Sequence, residues 1–270
     1  MATPVLETLP PAVREITTAA WERLGERAPG LVTGLYLHGS LGFGEFTPSS
    51  DIDFVATTAH RPDLTEVEIL RTLHVELEAE HPGLHYDGFY VLASDLAVPP
   101  GVCPAVPGTS AGLFSVSNHP DIILASWHEL ARHGVTVFGP DLSDLPIHTV
   151  DVALRAYTVE HLSTYWRGQV EAMDHHSEAS SLPAATAWGV LGTARLRYRL
   201  ETGQMASKTT AGRHALEHMA HRWRPIIEEA LAIRDGRGST APYADDPARR
   251  HEDTVAFMTA VIREADPAAR

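Results

Sequence analysis

The stretch from Leu35 to Val55, LYLHGSLGFGEFTPSSDIDFV, constrains the fold of this chain more than any other. It predicts two apolar strands, Leu31–His38 and Ser50–Ala56, joined by a glycine-rich loop. Because side chains alternate between the two faces of a strand, Asp51 and Asp53 are expected to point the same way. The second strand is therefore predicted to carry a pair of carboxylates beside the loop.

The pair and the loop together predict a site for a metal-bound nucleoside triphosphate. Two adjacent carboxylates repel each other without a cation, so Asp51 and Asp53 form a hard oxygen site suited to Mg²⁺. Gly39 lets the backbone approach a phosphate closely, and Ser40 adds a hydroxyl donor. Other motifs are disfavoured, since the chain has no GxxxxGK[ST] and no GxGxxG here. A serine-hydrolase elbow is also disfavoured because position 38 is His and no strand–turn–helix pattern follows.

The Gly39-Ser40 pair, a spacer of ten residues and Asp51-x-Asp53 resemble the motif of the nucleotidyltransferase (polymerase β-like) superfamily. Taken alone, the DxD pair could also be an Asp-rich turn before a buried strand. In company with Gly-Ser at this spacing, it is interpreted as the functional motif.

The next predicted strand, Leu84–Leu92, carries one conspicuous polar residue, Asp87. The resemblance implies a third acid on a neighbouring strand, and Asp87 is the candidate. Such a group can bind the metal or accept the proton of an attacking hydroxyl. The alternative is an edge-strand Asp that forms a turn with Gly88, and Asp95 is the second candidate for the third acid.

The charge of −14 is concentrated in the first half of the chain. Residues 1–149 contain 19 acidic and 6 basic residues, a net charge of −13. This acidity repels phosphate backbones, so nucleic-acid binding is not expected, whereas a cationic small molecule would be attracted. An aid to solubility is the alternative reading of the same charge.

The rest of the composition indicates a soluble cytoplasmic protein. Cys103 is the only cysteine, which excludes an intramolecular disulfide and fits a reducing compartment. No apolar run approaches the roughly 20 residues that span a bilayer, so no membrane association is predicted. The N-terminal MATPVLETLPP lacks the basic region of a signal peptide.

Hydrophobic periodicity divides the chain into an α/β part and a purely helical part. Together with the resemblance to nucleotidyltransferases, this division implies an α/β nucleotidyltransferase domain with a mixed sheet over residues 1–145, then an all-α helical bundle over 146–270. Pro99–Asn118 has no periodicity and is predicted to be a loop over the active site. The predicted helices span 10–28, 63–80, 120–134, 149–170, 183–202, 207–234 with a break near Arg224-Pro225, and 246–265.

Lys208 is the only lysine, against 20 arginines. In a chain that uses Arg at every other basic position, it suggests a site that needs a compact ammonium group, although chance is the alternative. Arg195 lies thirteen residues earlier, and a turn separates the two. Both cations could therefore lie at the same end of adjoining helices and hold a triphosphate.

The segment TARLRYRLETGQMASKTTAG resembles the C-terminal domain of the streptomycin/spectinomycin adenylyltransferases, and FGP at 138–140 and RPIIEEA at 224–230 are also similar. This resemblance implies MgATP bound between the two domains and transfer of AMP to a hydroxyl of a cationic aminoglycoside, with release of pyrophosphate. It implies ATP contacts from Ser40, Ser50, Arg195 and Lys208, and metal binding by Asp51 and Asp53. The family base is a Glu, and Asp87 is one methylene shorter.

The loop at 166–188 departs from the family and leaves the acceptor unassigned. Trp166, Asp174, Glu178 and Trp188 are its candidate acceptor-binding residues. The same chemistry on a metabolite or a protein hydroxyl is one alternative, and a non-catalytic nucleotide-binding regulator is the other. A monomer and a homodimer are both compatible with the sequence.

Overall fold

The computed structural model describes residues 4–118, 123–175 and 182–265. The chain forms two compact units, one of residues 1–46 and 50–149 and one of residues 47–49 and 150–270. None of the described helices combines the length and the apolar character needed to cross a membrane.

The first unit is built on a mixed six-stranded sheet with the order β5-β4-β3-β2-β1-β6. Its strands are β1 (Val32–Leu37), β2 (Ile52–Thr58), β3 (Tyr86–Leu92), β4 (Val106–Ser110), β5 (Leu113–Asn118) and β6 (Val135–Phe138). The β2–β3 pair is parallel and the other four pairs are antiparallel. The predicted mixed sheet is thereby confirmed.

Helices cover both faces of this sheet. The helices of the first unit are α1 (Pro11–Arg27), α2 (Gly39–Gly42), α3 (Leu64–Glu80), α4 (Ala93–Leu96) and α5 (Leu124–His133). The apolar stripes of α1 and α3 pack on the face that presents Ile52 and Phe54. Trp127 of α5 packs on the other face, which presents Val55 and Phe89. Side chains two residues apart in a strand lie on the same face. Asp53 lies two residues before Val55 and Asp87 lies two residues before Phe89, so both carboxylates belong to this second face.

The loop predicted over Pro99–Asn118 is wrong in its second half, which forms the β4–β5 hairpin. Gly108 interrupts the alternation of apolar and polar residues there, and its missing side chain allows the close approach of Phe89. The signal that could have revealed the hairpin is its two-residue turn. Ala111 and Gly112 both adopt positive φ angles, of 50° and 72°, as the turns that match the strand twist require.

The second unit is helical, as predicted. It contains α6 (Asp151–His161), α7 (Arg167–His175), α8 (Pro183–Thr202), α9 (Lys208–His218), α10 (Arg224–Arg234) and α11 (Pro247–Ala265). A π-helical turn joins α6 to α7 at Leu162–Trp166. Two glycines of the central helix α8 allow neighbouring side chains to pack closely against its backbone. The Trp166 ring lies against Gly192, and Met258 lies against Gly189.

Candidate active site

Gly39 is in direct contact with the carboxylate of Asp53. Its φ angle is 58°, and a Cβ at this position would overlap the Asp53 side chain. The backbone amide of His38 also donates a hydrogen bond to the Asp53 carbonyl, at 3.0 Å. The start of α2 is therefore held against the start of β2 in a way that only glycine permits.

Ser40 and Ser50 lie at the two ends of the segment that connects β1 to β2. The Ser40 hydroxyl is buried and has no hydrogen-bond partner among the described residues. Ser50 is 7% exposed. A buried hydroxyl without a partner costs free energy, so the Ser40 hydroxyl is available for a hydrogen bond to a ligand.

The three acids of the motif converge at one end of the sheet. Asp53 and Asp87 occupy paired positions on the neighbouring parallel strands β2 and β3. Asp51 is exposed and precedes β2, and its charge contributes to raising the pKa of Asp87. The parallel register therefore brings together residues that are 34 positions apart in the sequence.

The carboxylate of Asp87 is fixed by the turn of the β4–β5 hairpin. Its Oδ2 accepts a hydrogen bond from the Ala111 amide at 2.7 Å, and its Oδ1 accepts one from the Gly112 amide at 3.0 Å. Burial raises the pKa of Asp87, and these two amides oppose the shift. Sequence reasoning missed these two donors because it assigned their segment to a loop.

Asp95 is not an alternative to Asp87. It lies beyond the opposite end of β3, where its carboxylate accepts a hydrogen bond from the Leu92 amide at 2.7 Å and pairs with Arg61 at 2.5 Å. Five residues of strand, at about 3.3 Å each, separate Leu92 from Asp87.

Within the second unit, Arg195 of α8 reaches the start of α9. Its Nε donates a hydrogen bond to the Ala206 carbonyl at 3.1 Å, and Lys208 is the first residue of α9. Ser207 caps this helix by accepting from the Thr210 amide at 2.9 Å. The two cations are thus adjacent at a helix N-terminus, where backbone amides also favour an anion.

The candidate acceptor-binding residues are only partly described. Trp166 is buried, and its ring centroid lies 4.6 Å from that of Trp188 in the helical core. The Asp174 side chain and Glu178 lie outside the described residues.

Among residues 4–118, 123–175 and 182–265, no group of three or more His, Cys, Asp or Glu side chains is arranged to hold a metal ion. The described residues thus do not form a ready-made three-carboxylate site, although Mg²⁺ sites can also consist of one or two carboxylates together with substrate phosphates and water. Metal binding by Asp51, Asp53 and Asp87 therefore stays a prediction.

Comparisons with known proteins agree with this arrangement. Residues 18–88 match the family model of the nucleotidyltransferase domain, and residues 159–261 match that of the aminoglycoside adenylyltransferase C-terminal domain. A search of curated proteins gave no match.

Among solved structures, the chain is similar to the spectinomycin adenyltransferase AAD(9) from Enterococcus faecialis, crystallised with ATP and spectinomycin. The TM-score is 0.71 at 14% identity, and the alignment covers 92% of this chain and 98% of that one. At this identity the likeness establishes the fold. The two family models thus assign residues 18–88 to a nucleotidyltransferase domain and residues 159–261 to a domain similar to the C-terminal domain of aminoglycoside adenylyltransferases.

Proposed function

We propose that this enzyme transfers AMP from MgATP to a hydroxyl of an aminoglycoside-type acceptor and releases pyrophosphate. The observation that carries the proposal is the contact of Gly39 with the Asp53 carboxylate, next to the buried and unpartnered hydroxyl of Ser40. Nucleotidyl transfer requires a phosphate-binding loop beside a metal-binding carboxylate, and this contact supports assigning those roles to the loop and to Asp53.

Asp51 and Asp53 would hold the Mg²⁺ ion. When bound, it would supply positive charge that offsets the charge developing on the transferred group. The exposure of Asp51 and the partial burial of Asp53 leave their oxygens room for such a ligand.

Asp87 accepts the proton of the attacking acceptor hydroxyl. Burial raises its pKa towards the range in which a carboxylate is an effective base, and the two hairpin amides fix its direction. Each carboxylate oxygen has a further lone pair beyond the one that accepts from the turn, so the hairpin does not block this role.

The remaining predicted residues bind the nucleotide. Gly39 provides close backbone approach, Ser40 donates its hydroxyl to a phosphate oxygen, and Ser50 borders the same segment. Arg195 and Lys208 supply positive charge for the leaving pyrophosphate, and their adjacency at the start of α9 supports this role.

Three observations support a small cationic acceptor. The C-terminal family model is that of aminoglycoside adenylyltransferases, and the similar structure contains spectinomycin. The net charge of −13 over residues 1–149 favours approach of a cation over approach of a nucleic acid.

The proposal is tested by pyrophosphate release from MgATP with spectinomycin, streptomycin and other aminoglycosides, each supplied separately. Release that depends on one drug, together with a product heavier by one AMP residue, would identify the reaction and the acceptor. MgATP binding without release for any drug would favour a metabolite or protein acceptor, or a non-catalytic regulator, over an antibiotic.

The raised pKa of Asp87 predicts a pH dependence of turnover. A base works only when deprotonated, so kcat/KM should fall as the pH drops through a pKa above the ordinary aspartate value. Asp87→Asn should lower kcat by about 10²- to 10⁴-fold, the usual contribution of a general base, and remove this acidic limb. Asp87→Glu, which restores the family's residue type, should keep the limb. If the acidic limb of the pH profile of kcat/KM stays at the same pH in Asp87→Asn, a group other than Asp87 is responsible for it.

Lys208→Ala is expected to raise the apparent KM for ATP by about 10- to 150-fold with a smaller change in kcat, because a charge-assisted contact to phosphate contributes about 1.5–3 kcal/mol. Arg213→Ala is the matched control, since Arg213 is an exposed cation on the same helix. Equal KM values for Lys208→Ala and the wild type would exclude the phosphate role.

A further inference from the structure

A buried carboxylate on α5 faces the residue that precedes the Gly39-Ser40 pair. Glu129 is 8% exposed, and its Oε2 lies 3.8 Å from Nδ1 of His38, which is 7% exposed. A carboxylate that is removed from water is stable only where polar partners compensate for the lost hydration. Glu129 and His38 are thus two buried polar side chains that approach each other where α5 meets the end of β1, at a distance longer than a direct hydrogen bond.

His38 is linked to the Gly39-Ser40 pair and to Asp53 through its backbone. Its amide donates to the Asp53 carbonyl at 3.0 Å, and the next residue, Gly39, touches the Asp53 carboxylate. Because a peptide unit is planar and leaves two rotatable bonds per residue, fixing His38 restricts where Gly39 and Ser40 can lie.

One helical turn after Glu129, α5 contacts the other end of α2. The ring centroid of His133 lies 4.3 Å from that of Phe43, and the His133 carbonyl would overlap a Cβ at Gly42. Helix α5 thus holds α2 at both ends, through Glu129 at the first end and His133 at the second.

We propose that Glu129 is a positioning residue, which acts through His38 to hold the Gly39-Ser40 pair beside the Asp53 carboxylate. This inference rests on the proposed function, because it assigns α5 to the placement of the nucleotide phosphates. Glu129 itself touches no reacting group in this scheme. Nothing in the sequence motif pointed to it, since it lies 76 residues beyond Asp53 in the chain.

Glu129→Gln tests the inference with little change in side-chain volume. Misplacement of reacting groups by about 1 Å can cost around 100-fold in rate, so kcat is expected to fall about 10- to 100-fold. The apparent KM for spectinomycin, or for whichever acceptor is turned over, should change less than kcat. A merely structural role would instead lower the melting temperature and leave kcat intact at temperatures well below it.

Leu130→Ala is the matched control, with Leu130→Val in its place if the alanine variant does not fold. Leu130 is the next residue on α5 and is fully buried in the core around Trp127. The control should lower the melting temperature while its kcat at about 15 °C stays within about twofold of the wild type, since buried residues away from special features act mainly on stability. An equal loss of kcat in the control and in Glu129→Gln would overturn the positioning role.

A double-mutant cycle of Glu129→Gln with His38→Gln tests whether Glu129 acts on kcat through His38. If Glu129 acts through His38, the double variant should be no slower than the slower single variant. Fully additive losses would overturn the inference.

The outcomes separate this inference from the proposed function. Wild-type activity with unchanged kcat in Glu129→Gln would overturn the inference alone. If the wild type modifies no acceptor, the proposed function fails and the dissociation constant for MgATP becomes the readout. A value about tenfold higher in Glu129→Gln would then support the positioning role, and an equal value would overturn it. A wild type that does not bind MgATP would overturn both.

Discussion

Asp53→Asn should lower kcat for AMP transfer by about three orders of magnitude or more, which is roughly 4 kcal/mol of transition-state stabilisation. The substitution keeps the size of the side chain but removes its negative charge, which the Mg²⁺ site requires. Asp53 lies at the point where Gly39 and Asp87 meet β2.

Pyrophosphate release measured over a range of Mg²⁺ concentrations is the test. The melting temperature should change little, because the substitution also relieves the repulsion between Asp53 and Asp51. Asp144→Asn, at an exposed position of the same unit, is the control and should retain full turnover. Retention of more than about a tenth of the wild-type rate in Asp53→Asn would remove Asp53 from the metal site.

Gly39→Ala should abolish most of the activity and also destabilise the first unit. Two costs add at this position. The first is the positive φ of 58°, at which a Cβ costs about 1–2 kcal/mol. The second is the overlap of the new methyl group with the Asp53 carboxylate, which forces the loop and the carboxylate apart. We expect a loss of about 100-fold or more in kcat/KM, because the phosphate-binding and metal-binding groups would no longer share one site.

Gly30→Ala separates the two costs. Gly30 has a φ of 81°, and no atom lies within 4 Å of the position that a Cβ would occupy. The alanine variant therefore has the conformational cost of a positive φ but no steric overlap with a neighbouring side chain. It should lower the melting temperature and leave kcat/KM close to the wild-type value. Comparable losses of kcat/KM in both variants, measured well below their melting temperatures, would show that the activity responds to loop strain in general rather than to the Gly39–Asp53 contact.

The sequence alone predicted the candidate motif and the class of fold. The Gly-Ser pair and the two Asp residues are local in sequence, and strand alternation places Asp51 and Asp53 without reference to the rest of the chain. The division into an α/β part and a helical part also follows from local periodicity, which is set by the geometry of each element. The mixed character of the sheet came from the family resemblance.

Only the tertiary structure decided which distant groups surround that motif. The register of β2 and β3 pairs Asp53 with Asp87, and the hairpin at Ala111–Gly112 fixes the direction of Asp87. The Glu129–His38 contact likewise joins an α5 residue to the loop. These contacts depend on how strands pair and helices pack across 24 to 91 residues of chain, and no local pattern of side chains encodes such a pairing.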